Sequence, residues 1–138
     1  MSGLTKVRQW GSEAETPKRA VLPAMLNGAL GKCPHCGKGH IFQGYLGTRP
    51  ACEECGEELY HHRADDLPAY LNIFITGHVV VGLMLMIMTM GDLPMWPMTF
   101  ATAFVALAFA GLVMRPLKGA TIGAQWALAM HGFGGHDD

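Results

Sequence analysis

Two apolar runs constrain this chain more than anything else in it. Residues 69–90 read AYLNIFITGHVVVGLMLMIMTM and residues 93–114 read LPMWPMTFATAFVALAFAGLVM, with no Asp, Glu, Lys or Arg in either. As helices rising about 1.5 Å per residue, each would reach roughly 33 Å, enough for a hydrocarbon core of about 30 Å. A chain of 138 residues has too little mass to bury two such helices in a soluble core, so both are expected to cross a lipid bilayer. Gly91 and Asp92 alone separate the runs, which makes them an antiparallel hairpin. That link carries no basic side chain, while Arg63 precedes the first run and Arg115 and Lys118 follow the second. Loop cations set orientation, so both termini are expected on the cytoplasmic side. Tyr70 and Trp96 fall near opposite interfaces, as an aromatic belt would place them.

Composition agrees with this frame. The chain is 50% apolar and only 15% charged, an unusual balance for a small soluble domain. All ten Lys and Arg lie between Lys6 and Arg63 or at Arg115 and Lys118, and a formal net charge of −1 gives no support to nucleic-acid binding. Residues 1–24 are polar, mixed in charge and lack the apolar segment of a secretory signal, so a disordered tail is expected there. Residues 134–138 form a second short tail.

Within the second run Thr102, Ala106 and Ala110 recur every fourth position, and Gly82 of the first run could meet that stripe. Close backbone approach is how helices associate in lipid, where apolar burial no longer discriminates. After Met114, Pro116 is expected to kink or end the helix, with Arg115 and Lys118 at the lipid head groups. Residues 117–133 then place Ile122, Trp126, Met130 and Phe133 on one helical face. The segment is too short for a third span, so an amphipathic helix at the membrane interface, or one that binds a partner, is expected.

The only four cysteines form two matched pairs, Cys33-Pro34-His35-Cys36 and Cys52-Glu53-Glu54-Cys55. On the cytoplasmic side structural disulfides are rare, and two C-x2-C pairs fifteen residues apart then indicate a four-thiolate metal site. Gly37 and Gly56 each follow a pair, where a tight knuckle needs a residue tolerant of positive φ. Ile41, Phe42, Tyr45 and Leu46, with turns at Gly44 and Gly47, suit a short hairpin between the pairs. Residues 25–62 are therefore expected to form a zinc ribbon. One closed tetrahedral zinc is the first choice, and its role is structural because no coordination position is left for water. Iron in a rubredoxin-like electron-transfer site is the alternative, since four thiolates suit both metals. His35 and His40 are expected at the surface rather than on the metal.

Residues 63–68 link the ribbon to the first span. Around this link, His61, His62, Asp65 and Asp66 could form a second metal site, although Asp65 or Asp66 as a helix N-cap and Pro68 in the first turn explain the same residues. His78 sits near the bilayer midplane, where an ionisable side chain is costly and marks a candidate functional residue. It could ligate metal or haem, relay a proton, or bond Thr102 or a carbonyl of the second span. A haem would need a second chain to supply its other axial histidine. Met84, Met86, Met88 and Met90 alternate, which on a helix scatters them over different faces and argues against a copper-ligand row.

Taken together, CPHCGKGHIFQGYL, CEECG, HHRADDLPAYLNIFITGHVVV and KGATIGAQWALAMHGF resemble a bacterial family, domain of unknown function 983, over about residues 22–133. The resemblance implies an inner-membrane protein with two spans and a cytoplasmic zinc ribbon. Genes of that family often lie among those for aa3-type cytochrome c oxidase. By association this implies a non-catalytic accessory subunit or assembly factor of the oxidase, with a metal- or haem-handling protein as the competing expectation. An enzyme is not expected, since the sequence has no nucleophile elbow, phosphate loop or paired carboxylates, and no small-molecule substrate is evident.

Overall fold

Pro68 marks where the first long helix can begin. The computed structural model describes residues 19–60 and 66–130, and in it Asp66 takes the N-cap position with Pro68 in the first turn of the helix Leu67–Thr89. Three shorter elements precede it: a helix α1, Val21–Ala29, and strands β1, Phe42–Gln43, and β2, Gly47–Thr48. The long helix is α2, and after a bend at Gly91 (φ 144°) the chain enters α3, Met95–Ala127. Both α2 and α3 are long and apolar enough to cross a membrane.

These two helices pack side by side along one stripe each. On α2 the buried or half-buried positions are Pro68, Ala69, Asn72, Ile75, Thr76, Val80, Leu83 and Ile87, which fall along one side of the helix. On α3 Thr102, Ala106 and Ala110 lie on the half-buried face, as the sequence stripe suggests. Gly82 does not meet them. It is exposed, and a Cβ added there would find open space. The reason is angular: Leu83 faces inward, and one residue turns Gly82 about 100° away.

A second departure concerns α3. Pro116 neither ends the helix nor starts a separate one, for α3 continues through it to Ala127. Proline removes one backbone donor and crowds the preceding turn, at a cost of about 3 kcal/mol in a helix interior. Tertiary contacts on both sides of it offset that cost. Lys118 Nζ donates to the Leu46 carbonyl at 2.7 Å, the Arg115 guanidinium lies 5.2 Å from the Phe42 ring centroid, and Tyr45 donates its hydroxyl to the Gly111 carbonyl. The basic pair expected at lipid head groups thus clamps the β hairpin to the helix. At about 1.5 Å per residue, the 33 residues of α3 reach about 50 Å, well beyond the length that pairs with α2.

The extra length is covered by α1, which runs antiparallel to it. Ala24 and Gly28 of α1 face Gly123 and Gly119 of α3, and a Cβ on any of the three glycines would overlap backbone of the other helix. Small residues four apart on both helices bring the two backbones into contact. Two expectations are corrected here. The stretch 1–24 is not wholly a disordered tail, since Val21–Ala24 open α1, and the expected ribbon 25–62 starts with helix up to Ala29. The segment 117–133 is not an interfacial or partner-binding helix with a free apolar face. Ile122 is 0% exposed and Trp126 6%, both inside the chain's own core. Met130 lies past the end of the helix, 43% exposed, and Phe133 lies outside the described residues. The core consists of Ala24, Cys33, Ile41, Phe42, Cys52, Leu59, Ile122, Trp126 and Ala127, all in this head.

Candidate metal centre

Each cysteine pair sits in a tight knuckle, and the two knuckles repeat the same bonds. In the first, Gly37 N–H donates to the Cys33 carbonyl at 2.9 Å and Cys33 N–H to the Gly39 carbonyl at 2.7 Å. In the second, Gly56 N–H donates to the Cys52 carbonyl at 3.0 Å and Cys52 N–H to the Glu57 carbonyl at 2.9 Å. Gly37 and Gly56 take φ of 67° and 73°, the left-handed conformation expected of them and one that other residues adopt at a cost. The pair β1–β2, with Phe42 opposite Thr48 and Gln43 opposite Gly47, closes the loop between the knuckles and brings them face to face.

The four sulfurs converge. Cys33 Sγ lies 3.7 Å from Cys55 Sγ, Cys36 Sγ lies 3.8 Å from Cys52 Sγ, and all four fall within 4.8 Å of one another. A tetrahedral ion with metal–sulfur bonds near 2.3 Å requires sulfurs about 3.8 Å apart. The spacing fits a single ion held by four thiolates, with no protein-free position on it. Gly39 makes that convergence possible, because a Cβ there would overlap Cys52 Sγ. Nothing in the C-x2-C spacing announces this glycine.

The thiols are not equivalent. Amide N–H groups of Gly39 and Lys38 aim at Cys36 Sγ, the former at 3.5 Å, and hold its pKa down to about 6. Burial pushes the Cys33 thiol up, against the pull of the Cys36 and His35 amides, and burial also raises Cys55. Cys36 is therefore a thiolate at neutral pH, and a bound cation has to displace protons from the two raised thiols.

Around the sulfurs the head is closed by Trp126. Its Nε1 donates to Glu57 Oε1 at 2.9 Å, Arg19 lies 4.4 Å over its ring and donates to its carbonyl at 2.9 Å, and the His35 ring meets it edge-on at 5.7 Å. Residues from before α1, from both knuckles and from the end of α3 thus meet on one indole. His35 and His40 are exposed, as expected, and neither belongs to the sulfur cluster.

The other candidate residues do not come together with this site. His61, His62 and Asp65 lie outside the described residues; Asp66 stands at the N-cap of α2 without a side-chain cap bond. His78 is exposed on α2, and its Nδ1 lies 2.8 Å from the Phe74 carbonyl of its own helix rather than bonding Thr102 or a carbonyl of α3. Thr102 instead donates to Met98 and Thr99 of its own helix. The polar link between α2 and α3 is Asn72, whose Nδ2 donates to the Ala110 carbonyl at 3.0 Å and lies 3.5 Å from Met114 Sδ. Thr76 donates to Asn72 Oδ1 at 3.0 Å, so both ends of the amide are satisfied. An asparagine inside an apolar run was the available signal for this contact.

No curated protein and no solved structure matched the chain. A family model described as "Protein of unknown function (DUF983)" matches residues 42–126. The matched stretch is more than half of the chain and contains β1, β2, the second cysteine pair, all of α2 and α3 as far as Trp126. By that match the chain belongs to the DUF983 family.

Proposed function

We propose that this chain is a non-catalytic accessory subunit or assembly factor of an aa3-type respiratory cytochrome c oxidase. In this reading α2 and α3 span a bacterial inner membrane with both termini cytoplasmic, and one structural zinc ion clasps the cytoplasmic head. The observation that carries the reading is the single helix α3, which serves as one half of an apolar hairpin and as the central strut of the head. A closed metal site on a rigid strut suits docking better than turnover, because four thiolates leave the ion no open position for a substrate. The outward faces of the hairpin remain available to a larger membrane complex: Ile73, Phe74, Val81 and Leu85 on α2 and Phe100, Phe104 and Leu107 on α3 are all exposed. The link to the oxidase rests on the gene association of the family.

The deciding experiment is a tagged pull-down from native membranes read by mass spectrometry. Oxidase subunits should be enriched with the tagged chain, either in the mature enzyme or in assembly intermediates. Absence from both would sink the proposal. Elemental analysis should give one zinc per chain, and a red, iron-bearing preparation would favour the rubredoxin-like alternative. A second reading, a metal- or haem-handling protein, draws on the outward-facing His78.

A further inference from the structure

We propose that the outward face of α2 around His78 is half of a haem site, completed by the same histidine of a second copy of this chain. The proposal rests on the membrane placement of α2 but not on any association with an oxidase.

The first support is the orientation of the ring. His78 Nδ1 lies 2.8 Å from the Phe74 carbonyl. A carbonyl only accepts, so Nδ1 carries the proton, and in a neutral ring Nε2 then carries a lone pair. Histidines that ligate metals are held in this way, with the non-ligating nitrogen bonded to a carbonyl or carboxylate. The side chain is exposed, so the lone pair meets lipid unless something covers it. His78 is the twelfth of the 23 residues of α2, at the middle of the apolar length. There an uncovered polar nitrogen has no water to bond and is costly.

The second support is the shape beside it. Gly77, His78 and Val81 line an open groove of about 290 Å³ on the surface of α2, and a Cβ on Gly77 would meet nothing within 4 Å. The Phe74 ring stands 4.3 Å from the imidazole and borders the same face. A flat apolar ring system can lie against such a surface while an axial bond forms to Nε2.

The third is the choice of ligand. The positions one turn either side of His78 are Phe74, Ile75, Val81 and Gly82, none of which binds a metal. A bare zinc or copper ion would therefore find one ligand per chain. A haem brings four nitrogens of its own and needs only axial partners. Two copies related by a twofold axis supply two imidazoles, which is a closed, isologous arrangement.

The test uses the full chain, zinc-loaded and reconstituted in nanodiscs, titrated with ferric protoporphyrin IX. A low-spin, six-coordinate spectrum that saturates at one haem per two chains is expected. His78→Ala should abolish that spectrum, and Gly77→Leu, which fills the groove and keeps the histidine, should weaken binding at least tenfold. Zinc content and helical circular dichroism serve as folding controls for both variants. The proposal is overturned if wild type and His78→Ala give the same spectrum, or if the iron stays five-coordinate. Saturation at one haem per chain overturns the two-copy arrangement. Either failure leaves the pull-down result untouched, so it can be told apart from a failure of the oxidase reading.

Discussion

The helix α3 makes two contacts of opposite character. Against α2 it packs through half-buried side chains, with Asn72 as a buried polar link and with Gly77 and Gly82 of α2 facing open space. Against α1 it packs backbone to backbone, through glycines that no other residue can replace without overlap. Close glycine contact is the device usually needed in lipid, where apolar burial supplies little. Here it occurs in the head, where burial of Ile122 and Trp126 already drives packing. The head is therefore complete within one chain, whereas the hairpin leaves apolar faces for other molecules.

Metal removal should break the comparison most severely. Binding of a structural zinc contributes about 10 kcal/mol or more in small four-ligand domains. Chelation, or Cys33→Ser, should expose α1 and the knuckles to protease while α2 and α3 up to about Arg115 stay helical. Limited proteolysis in nanodiscs, read alongside circular dichroism, would show it. A head that resists protease without metal would mean that the α1–α3 contact suffices alone.

Acid attacks the same clasp from another side. Cys36 has a pKa lowered from 9.0 to about 6, so its share of stability is complete only above about pH 9 and is lost progressively as pH falls from there through about 6. Cys33 and Cys55, raised by burial, hold their protons at neutral pH unless a metal displaces them, so protons compete with the ion at those sulfurs first. Metal release, followed with a zinc-responsive dye, should be negligible near pH 7.5 and extensive by about pH 5. Retention at pH 5 would mean that the ligand set is held by more than these four thiols.

The next effect belongs to the glycine contact. Gly119→Leu places a side chain where the Gly28 carbonyl lies, and overpacking of this kind costs about 1–3 kcal/mol, more where backbone must move. The variant should bind zinc more weakly and expose Trp126 to a fluorescence quencher, with hairpin helicity retained. In the hairpin, Asn72→Leu removes bonds to Ala110 and Thr76, at a cost of about 0.6–2 kcal/mol for a polar contact between membrane helices. Cysteine cross-linking between α2 and α3 should slow, and metal content should not change.

What could be read in advance divides along the same line. The two apolar runs, the cysteine spacing and the knuckle glycines are local signals, each contained in a stretch whose own chemistry dictates its form. The α1–α3 contact joins Ala24 and Gly28 to Gly119 and Gly123 across most of the chain, and no short window contains both sides of it. The helix end expected at Pro116 failed for the same reason, since Lys118, Arg115 and Tyr45 grip the β hairpin across it. The face formed by Ile122 and Trp126 was visible as a face, but what covers it is a nine-residue helix near the other end of the chain. Gly82 failed through phase: small residues at every fourth position of α3 identify its inward side, while nothing in one glycine identifies the inward side of α2.

That phase error supplies the sharpest comparison, because one substitution can be made in both regions. Gly82→Leu adds a side chain to open space at the exposed surface of α2, and exposed changes away from special features usually stay within about 0.5 kcal/mol. Its helix also loses a residue of poor propensity, a gain of up to about 1 kcal/mol. Hairpin cross-linking and zinc content should thus match the wild type and thermal stability should match or slightly exceed it, in contrast to Gly119→Leu. If the outward face of α2 docks on another membrane protein, the same variant should still lose co-purification with it, since a leucine stands where a helix would approach. Unchanged stability with lost co-purification would identify this face as the contact surface. Unchanged stability with unchanged co-purification would move the contact to α3, where Phe100, Phe104 and Leu107 are the exposed alternatives.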